Sequence, residues 1–323
     1  MRQLLILLTS AGMALPQSNA PLRLRTTIPL PDVQGRIDHM FLDVRTGRLF
    51  VAALGNNTIE VIDVREGKRI RSISALREPQ GVLYLADVNR LYVANGEDGT
   101  LRVFDGTSYE LIKTIKLGED ADNIRFDAEK KHIYVGYGSG ALAVMDEDGR
   151  KVADISLDAH PESFQLEKSG HRLFINLPKS RKTAVADRTT GSVIATWGTG
   201  GAFSNYPMAL DEEDHRLFIV CRLPARVVVL DTNTGKVVEK LPVVGDSDDV
   251  FYDHARKRVY ATGGEGAISV FQQQDPDRYR QIANIPTVKG ARTSLFSPDL
   301  SELFVAARRD GFEPAAIRIY SAQ

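Results

Sequence analysis

One motif returns seven times along this chain of 323 residues, an ionisable residue followed by an aliphatic one and an aromatic ring. It stands at Arg48-Leu49-Phe50, Arg90-Leu91-Tyr92, His132-Ile133-Tyr134, Arg172-Leu173-Phe174, Arg216-Leu217-Phe218, Arg258-Val259-Tyr260 and Glu302-Leu303-Phe304, in steps of 40 to 44 residues. A period of this size means a repeat architecture, and it overrides the pair of domains that length alone would suggest.

A second marker trails the first five copies, at Val61-Ile62-Asp63, Val103-Phe104-Asp105, Val144-Met145-Asp146, Val185-Ala186-Asp187 and Val229-Leu230-Asp231. The last two copies keep the apolar pair without the Asp, at Val270-Phe271-Gln272 and Ile319-Tyr320-Ser321. Around the markers, short β-branched and aromatic runs alternate with turn signals such as Thr46-Gly47, Gly55-Asn56-Asn57 and Glu66-Gly67, which reads as four antiparallel strands per unit. No unit carries an apolar stripe at helical spacing long enough to compete.

The expected fold is therefore all-β, a seven-bladed β-propeller with four-stranded antiparallel blades. Blades are expected near residues 36–76, 78–117, 120–157, 160–199, 205–243, 246–287 and 291–323. The last unit stops after three strands, while Leu22 to Leu30 looks like the outer strands Arg69 to Ile73 and Leu111 to Ile115. That N-terminal strand is expected to complete blade seven and so remove the sheet edges an open ring would expose.

Residues 1–20 have the layout of a secretory signal, with Arg2, an apolar run from Leu4 to Leu15, and polar Ser18-Asn19-Ala20. The run is too short to span a bilayer. The remaining chain, 21–323, is expected to be a periplasmic or extracellular monomer without a transmembrane segment. Cys221 is the only cysteine, which excludes an intramolecular disulfide and reads as a small buried hydrophobe. Lys and Arg number 41 against 42 Asp and Glu, and no stretch interleaves basic with aromatic residues, so nucleic acid is not an expected partner.

Arg90-Leu91-Tyr92-Val93-Ala94-Asn95, and the turn Asp231-Thr232-Asn233-Thr234-Gly235-Lys236, resemble the YVTN-type propeller repeat of exported bacterial proteins. The resemblance spans residues 22 to 323 and is specific for fold rather than activity. It implies binding functions for the most part, and similar seven-bladed rings include lactonases, quinoprotein-type enzymes and surface-layer proteins. Trp-Asp dipeptides of WD repeats are missing, and no Cys-x-x-Cys-His occurs to attach a haem.

In such a ring the segment leading into each innermost strand reaches the channel mouth. Those segments offer Asp38, His39, Glu78, Gln80, Asp122, Asn123, His160, Glu162, Tyr206, Asp248, Asp249 and Arg292 as candidate ligand-binding residues. Converging carboxylates repel one another, so the ring implies raised pKa values or a bound positive species. Glu78, Asp122, Glu162 and Asp248 are hard oxygen ligands suited to a divalent cation, calcium or magnesium. Alternatively Arg292, the one basic residue among them, pairs with an acidic ligand while His39 or His160, expected across the ring from each other, exchanges protons. A basic arc of Lys179, Arg181, Lys182, Arg222, Arg226, Arg308 and Arg309 on neighbouring loops suits an anion.

His132, His171, His215 and His254 fall at turns on the opposite face and read as solvated. Ser163 and Ser294 lie in no nucleophile elbow, and the glycine clusters at 136–140 and 263–266 precede no helix, so neither catalytic serine nor phosphate loop is expected. The functional expectation is an exported module binding a small ligand or protein partner at the mouth. The alternative is a metal-dependent, lactonase-like hydrolase using the acidic ring.

Overall fold

The computed structural model describes residues 20–323, so the signal segment falls outside the described residues except for Ala20. These residues form twenty-eight strands, β1 to β28 in chain order, grouped as seven four-stranded antiparallel sheets. The innermost strands are β2 (Met40–Asp43), β6 (Pro79–Leu85), β10 (Ile124–Asp127), β14 (Phe164–Leu166), β18 (Phe203–Asp211), β22 (Ser247–Asp253) and β26 (Ser294–Ser297). Each touches the next and β26 touches β2, so the circuit is closed.

The repeated motif opens the second strand of every blade because its aliphatic and aromatic residues point to opposite sheet faces. Leu49 and Phe50 are both fully buried, and so are their counterparts in the other blades. Seven hydrophobic clusters result, one per blade interface. Phe50, Val61, Tyr84 and Leu91 fill the first, and Phe218, Val229, Val259 and Phe271 fill the one between blades five and six.

The Asp of the second marker is a turn device. Asp63 Oδ1 accepts from the amides of Arg65 and Glu66, both at 2.9 Å, and Asp105, Asp187 and Asp231 each accept from the amides two and three residues on. This side-chain turn starts the return to the fourth strand. In blade six the third and fourth strands are longer, Ala267–Asp275 and Arg278–Pro286, and the turn carboxylate has moved to Asp275.

Strand β1 (Leu22–Leu30) pairs antiparallel with β28 (Ala315–Ala322), from Leu22 opposite Ala322 to Leu30 opposite Ala315, with one register shift between Leu24 and Thr26. Its Ile28 and Leu30 are buried with Phe304, Ile317 and Ile319 against Leu49, Val51 and Ile62 of blade one. The first strand thus completes the last blade and supplies part of the final interface. No helix among the described residues is long and apolar enough to cross a membrane. Cys221 is fully buried, and burial pushes its thiol up to about 12.

Candidate channel-mouth site

Pairing with the second strand sets equivalent positions in the seven blades. Met40, Val82, Ile124, Phe164, Met208, Val250 and Ser294 face Val51, Val93, Val135, Ile175, Ile219, Ala261 and Val305. Two residues before each lies one layer: Asp38, Gln80, Asp122, Glu162, Tyr206, Asp248 and Arg292. All seven line a single cavity of about 220 Å³ at the channel mouth, together with Arg36, Asp120, His160 and Arg222 among others. The sevenfold repeat therefore places seven side chains of five kinds around one opening.

Glu78 and Asp249 are the two expected residues outside this cavity. Gln80 holds the layer position of β6, and Glu78, two residues earlier, is exposed, its backbone amide held by Asn57 Oδ1 at 2.7 Å. Asp249 sits one residue past the layer and faces a deeper chamber instead.

Arginines neutralise one side of the mouth. Arg292 Nε lies 2.6 Å from Asp248 Oδ2 and its Nη1 2.9 Å from Asp246 Oδ1. Arg222 pairs with the same two carboxylates and lies 4.1 Å over the Tyr206 ring. Arg36 holds Asp38 at 3.0 Å. Arg292 is thus committed to internal acids, which corrects its expected pairing with an acidic ligand, and Arg222 is drawn out of the expected anion-binding arc in the same way. Asp248, one of the four expected metal ligands, already has two guanidinium partners.

The other side is organised around Asp122. His39 Nε2 is 3.7 Å from Asp122 Oδ1 and from Asp38 Oδ1, while His160 Nε2 is 3.9 Å from Asp122 Oδ2 and 3.7 Å from Asp120 Oδ2. The two histidines enter from blades one and four and share one carboxylate. Nδ1 of His160 meets the Gly138 carbonyl at 2.6 Å, and Gln80 donates to Asp120 at 3.0 Å. Asn123 Nδ2 lies 2.8 Å from His39 Nε2. Asp122 Oδ1 and Asn123 Oδ1 are buried without a hydrogen-bond partner.

Protons carry much of the compensation. Burial opposes the His160 imidazolium, but Asp122 and the Gly138 carbonyl outweigh it and push the group up to about 9. Burial, with Asp122 next, pushes Glu162 up to about 8, and burial likewise takes Asp38 to about 6. For His39, burial is again outweighed, by Asp38, Asp249 and Asp122, and the net shift is upward. Glu162 is the lining carboxyl that makes neither an ion pair nor a side-chain hydrogen bond among the described residues.

Among the described residues no group of three His, Cys, Asp or Glu side chains is arranged to hold a metal ion. Of the expected cation ligands, Asp122 and Glu162 are the two that line the cavity free of arginine. Sequence reasoning missed Arg36, the first residue of the expected blade one, and Arg125, which projects into the channel from β10. The signal for Arg125 was available: at the position opposite the motif's aromatic ring, the other blades carry Phe41, Leu83, Gln165, Ala209, Phe251 and Leu295.

Many solved structures share this architecture, two of which illustrate it. Hydrazine synthase of Kuenenia stuttgartiensis superposes with a TM-score of 0.72 at 19% identity, over 88% of this chain and 94% of that one. A chain in the crystal structure of a mitotic checkpoint complex gives a TM-score of 0.75 at 15% identity, over 99% and 98%. At such identities the likeness establishes the β-propeller fold and nothing about activity. No protein-family model and no curated protein sequence matches the chain.

Proposed function

We propose that this chain is an exported binding module of the YVTN-type repeat class, recognising a cationic group at its channel mouth. The ligand is an ammonium or guanidinium, either on a free small molecule or on a lysine or arginine side chain of a protein partner. One observation carries the reading: Glu162, with neither an ion pair nor a side-chain hydrogen bond among the described residues, lines the same cavity as Asp122, whose buried Oδ1 accepts no hydrogen bond. Protons now hold the place of a cation, and a bound cation would displace the one on Glu162. The propeller within a mitotic checkpoint complex belongs to a protein assembly, which supports testing a protein-borne side chain. Export rests on residues 1–20, and a mature N-terminus detected in the periplasm or medium tests it.

A divalent cation competes for the same two carboxyls and would favour the lactonase-like hydrolase. Calorimetric titration with propylamine, a lysine-bearing hexapeptide, calcium and magnesium, in buffers of different ionisation enthalpy, separates the readings. Amine binding with proton release near pH 7.5, lost in Glu162→Gln, is the expected result; preference for propylamine or for the hexapeptide decides the source. Saturable calcium or magnesium binding reversed by chelator, with no amine binding, overturns the module reading in favour of the hydrolase. No saturable binding by any probe overturns both.

A further inference from the structure

Below the mouth the channel opens into a second chamber of about 420 Å³, whose walls include Phe41, Leu83, Phe126, Met208, Phe251 and Leu295. His39, Asn123 and Ser163 line both spaces and so separate them. Into this largely apolar collar projects Arg125. Its Nη1 donates to its neighbour's carbonyl, Ile124 O, at 2.8 Å, and its guanidinium lies 5.7 Å from the Phe164 ring centre. No carboxylate stands within ion-pair distance of it among the described residues, in contrast to Arg36, Arg222 and Arg292 at the mouth. The chamber's one carboxyl, Asp249, lies beyond ion-pair distance of Arg125 and accepts from the Ser294 amide at 2.8 Å.

We propose that this chamber is a second binding site, for a small amphiphilic carboxylate whose anionic end pairs with Arg125 and whose hydrocarbon end packs on Phe41, Phe251 and Leu295. A half-buried guanidinium facing apolar walls stays charged and favours a partner, and its N–H groups form a fork that matches a carboxylate. Nothing else in the collar is cationic except His39 at its roof. Phe41, Leu83, Phe126, Met208, Phe251 and Leu295 offer apolar contact beside a smaller polar share that includes Gln165 and Ser294. Burial pulls the Arg125 pKa below its ordinary value, against the pull of Asp249 and Asp122, in keeping with a charge that lacks a close counter-ion. The site is independent of the cation reading at the mouth.

Hexanoate is the probe, with 1-hexanol as its uncharged counterpart. One hexanoate should bind per chain, and Arg125→Met should weaken it about tenfold or more, as expected for loss of a charge-assisted pair. Arg125→Lys should retain part of the affinity. Leu295→Trp, which fills the chamber and leaves the guanidinium in place, should abolish binding, so the result does not hang on one variant; circular dichroism confirms that each remains folded. No saturable hexanoate binding by the wild type, equal affinity in Arg125→Met, or hexanol binding as tightly as hexanoate would overturn the proposal.

Discussion

Asp122 and His160 face each other with Oδ2 and Nε2 3.9 Å apart, and that carboxylate holds up the proton affinity of both His160 and Glu162. For the imidazole it stabilises the charged form; for Glu162 it opposes the charged form. Replacing Asp122 by Asn should therefore lower both pKa values at once, from about 9 and about 8. Site-resolved NMR titration checks this. A His160 pKa that stays near 9 would show that Asp120 and the Gly138 carbonyl suffice.

Stability should fall as pH rises through the neutral range. Glu162, Asp249 and Asp38 are raised to about 8, 7 and 6, and His160 to about 9, so each binds its proton more tightly folded than unfolded. That contribution is complete below the unfolded values, near 4 for the acids and 6.5 for the histidine, and is lost through the folded ones. Denaturant midpoints should decline from pH 5 to pH 9. Glu162→Gln should flatten the decline, gaining about 1–2 kcal/mol at pH 9 after solvent screening and close to nothing at pH 4. A wild-type curve rising across this window would contradict the assignment.

The arginine clamp gives a coupling prediction. Arg292→Ala leaves Asp246 and Asp248 with Arg222 alone and should cost about 1–3 kcal/mol. Adding Asp248→Asn removes the stranded charge, so the double variant should be more stable than the sum of the singles predicts. Additive losses in chemical denaturation would mean that the pairs are solvent-screened and energetically idle.

Closure by β1 is testable at two strengths. Ile28→Ala opens a cavity in the interface between blades seven and one and should cost about 2–4 kcal/mol. Deleting residues 21–31 exposes the β28 edge and should cause aggregation or a large loss in melting temperature. Unchanged solubility and melting of the deleted chain would deny β1 its structural part.

The architecture was legible because each blade must bury both faces, so Leu49 and Phe50 and their six counterparts recur in the same order. Even the closing strand could be read, since Ile28 and Leu30 alternate like other outer strands. The mouth was half legible. Proximity to an innermost strand picked Asp38, Asp122, Glu162 and Asp248, but a one-residue offset decides depth, and the exposure of Glu78 and the position of Asp249 leave no trace in composition. Partner choice was hidden for another reason: Arg222 and Arg292 lie seventy residues apart along the chain, and their joint hold on Asp246 and Asp248 arises only when loops converge. Arg125 was overlooked because one charge in a strand is unremarkable until the seven copies are set in register.

The pairing of Leu22–Leu30 with Ala315–Ala322 joins the earliest of the propeller's strands to be synthesised to the latest. Closure of the ring therefore waits for translation to reach Ile317 and Ile319, and a polypeptide terminated early keeps two raw borders and an unroofed core. Such a product is conspicuous to proteases and chaperones.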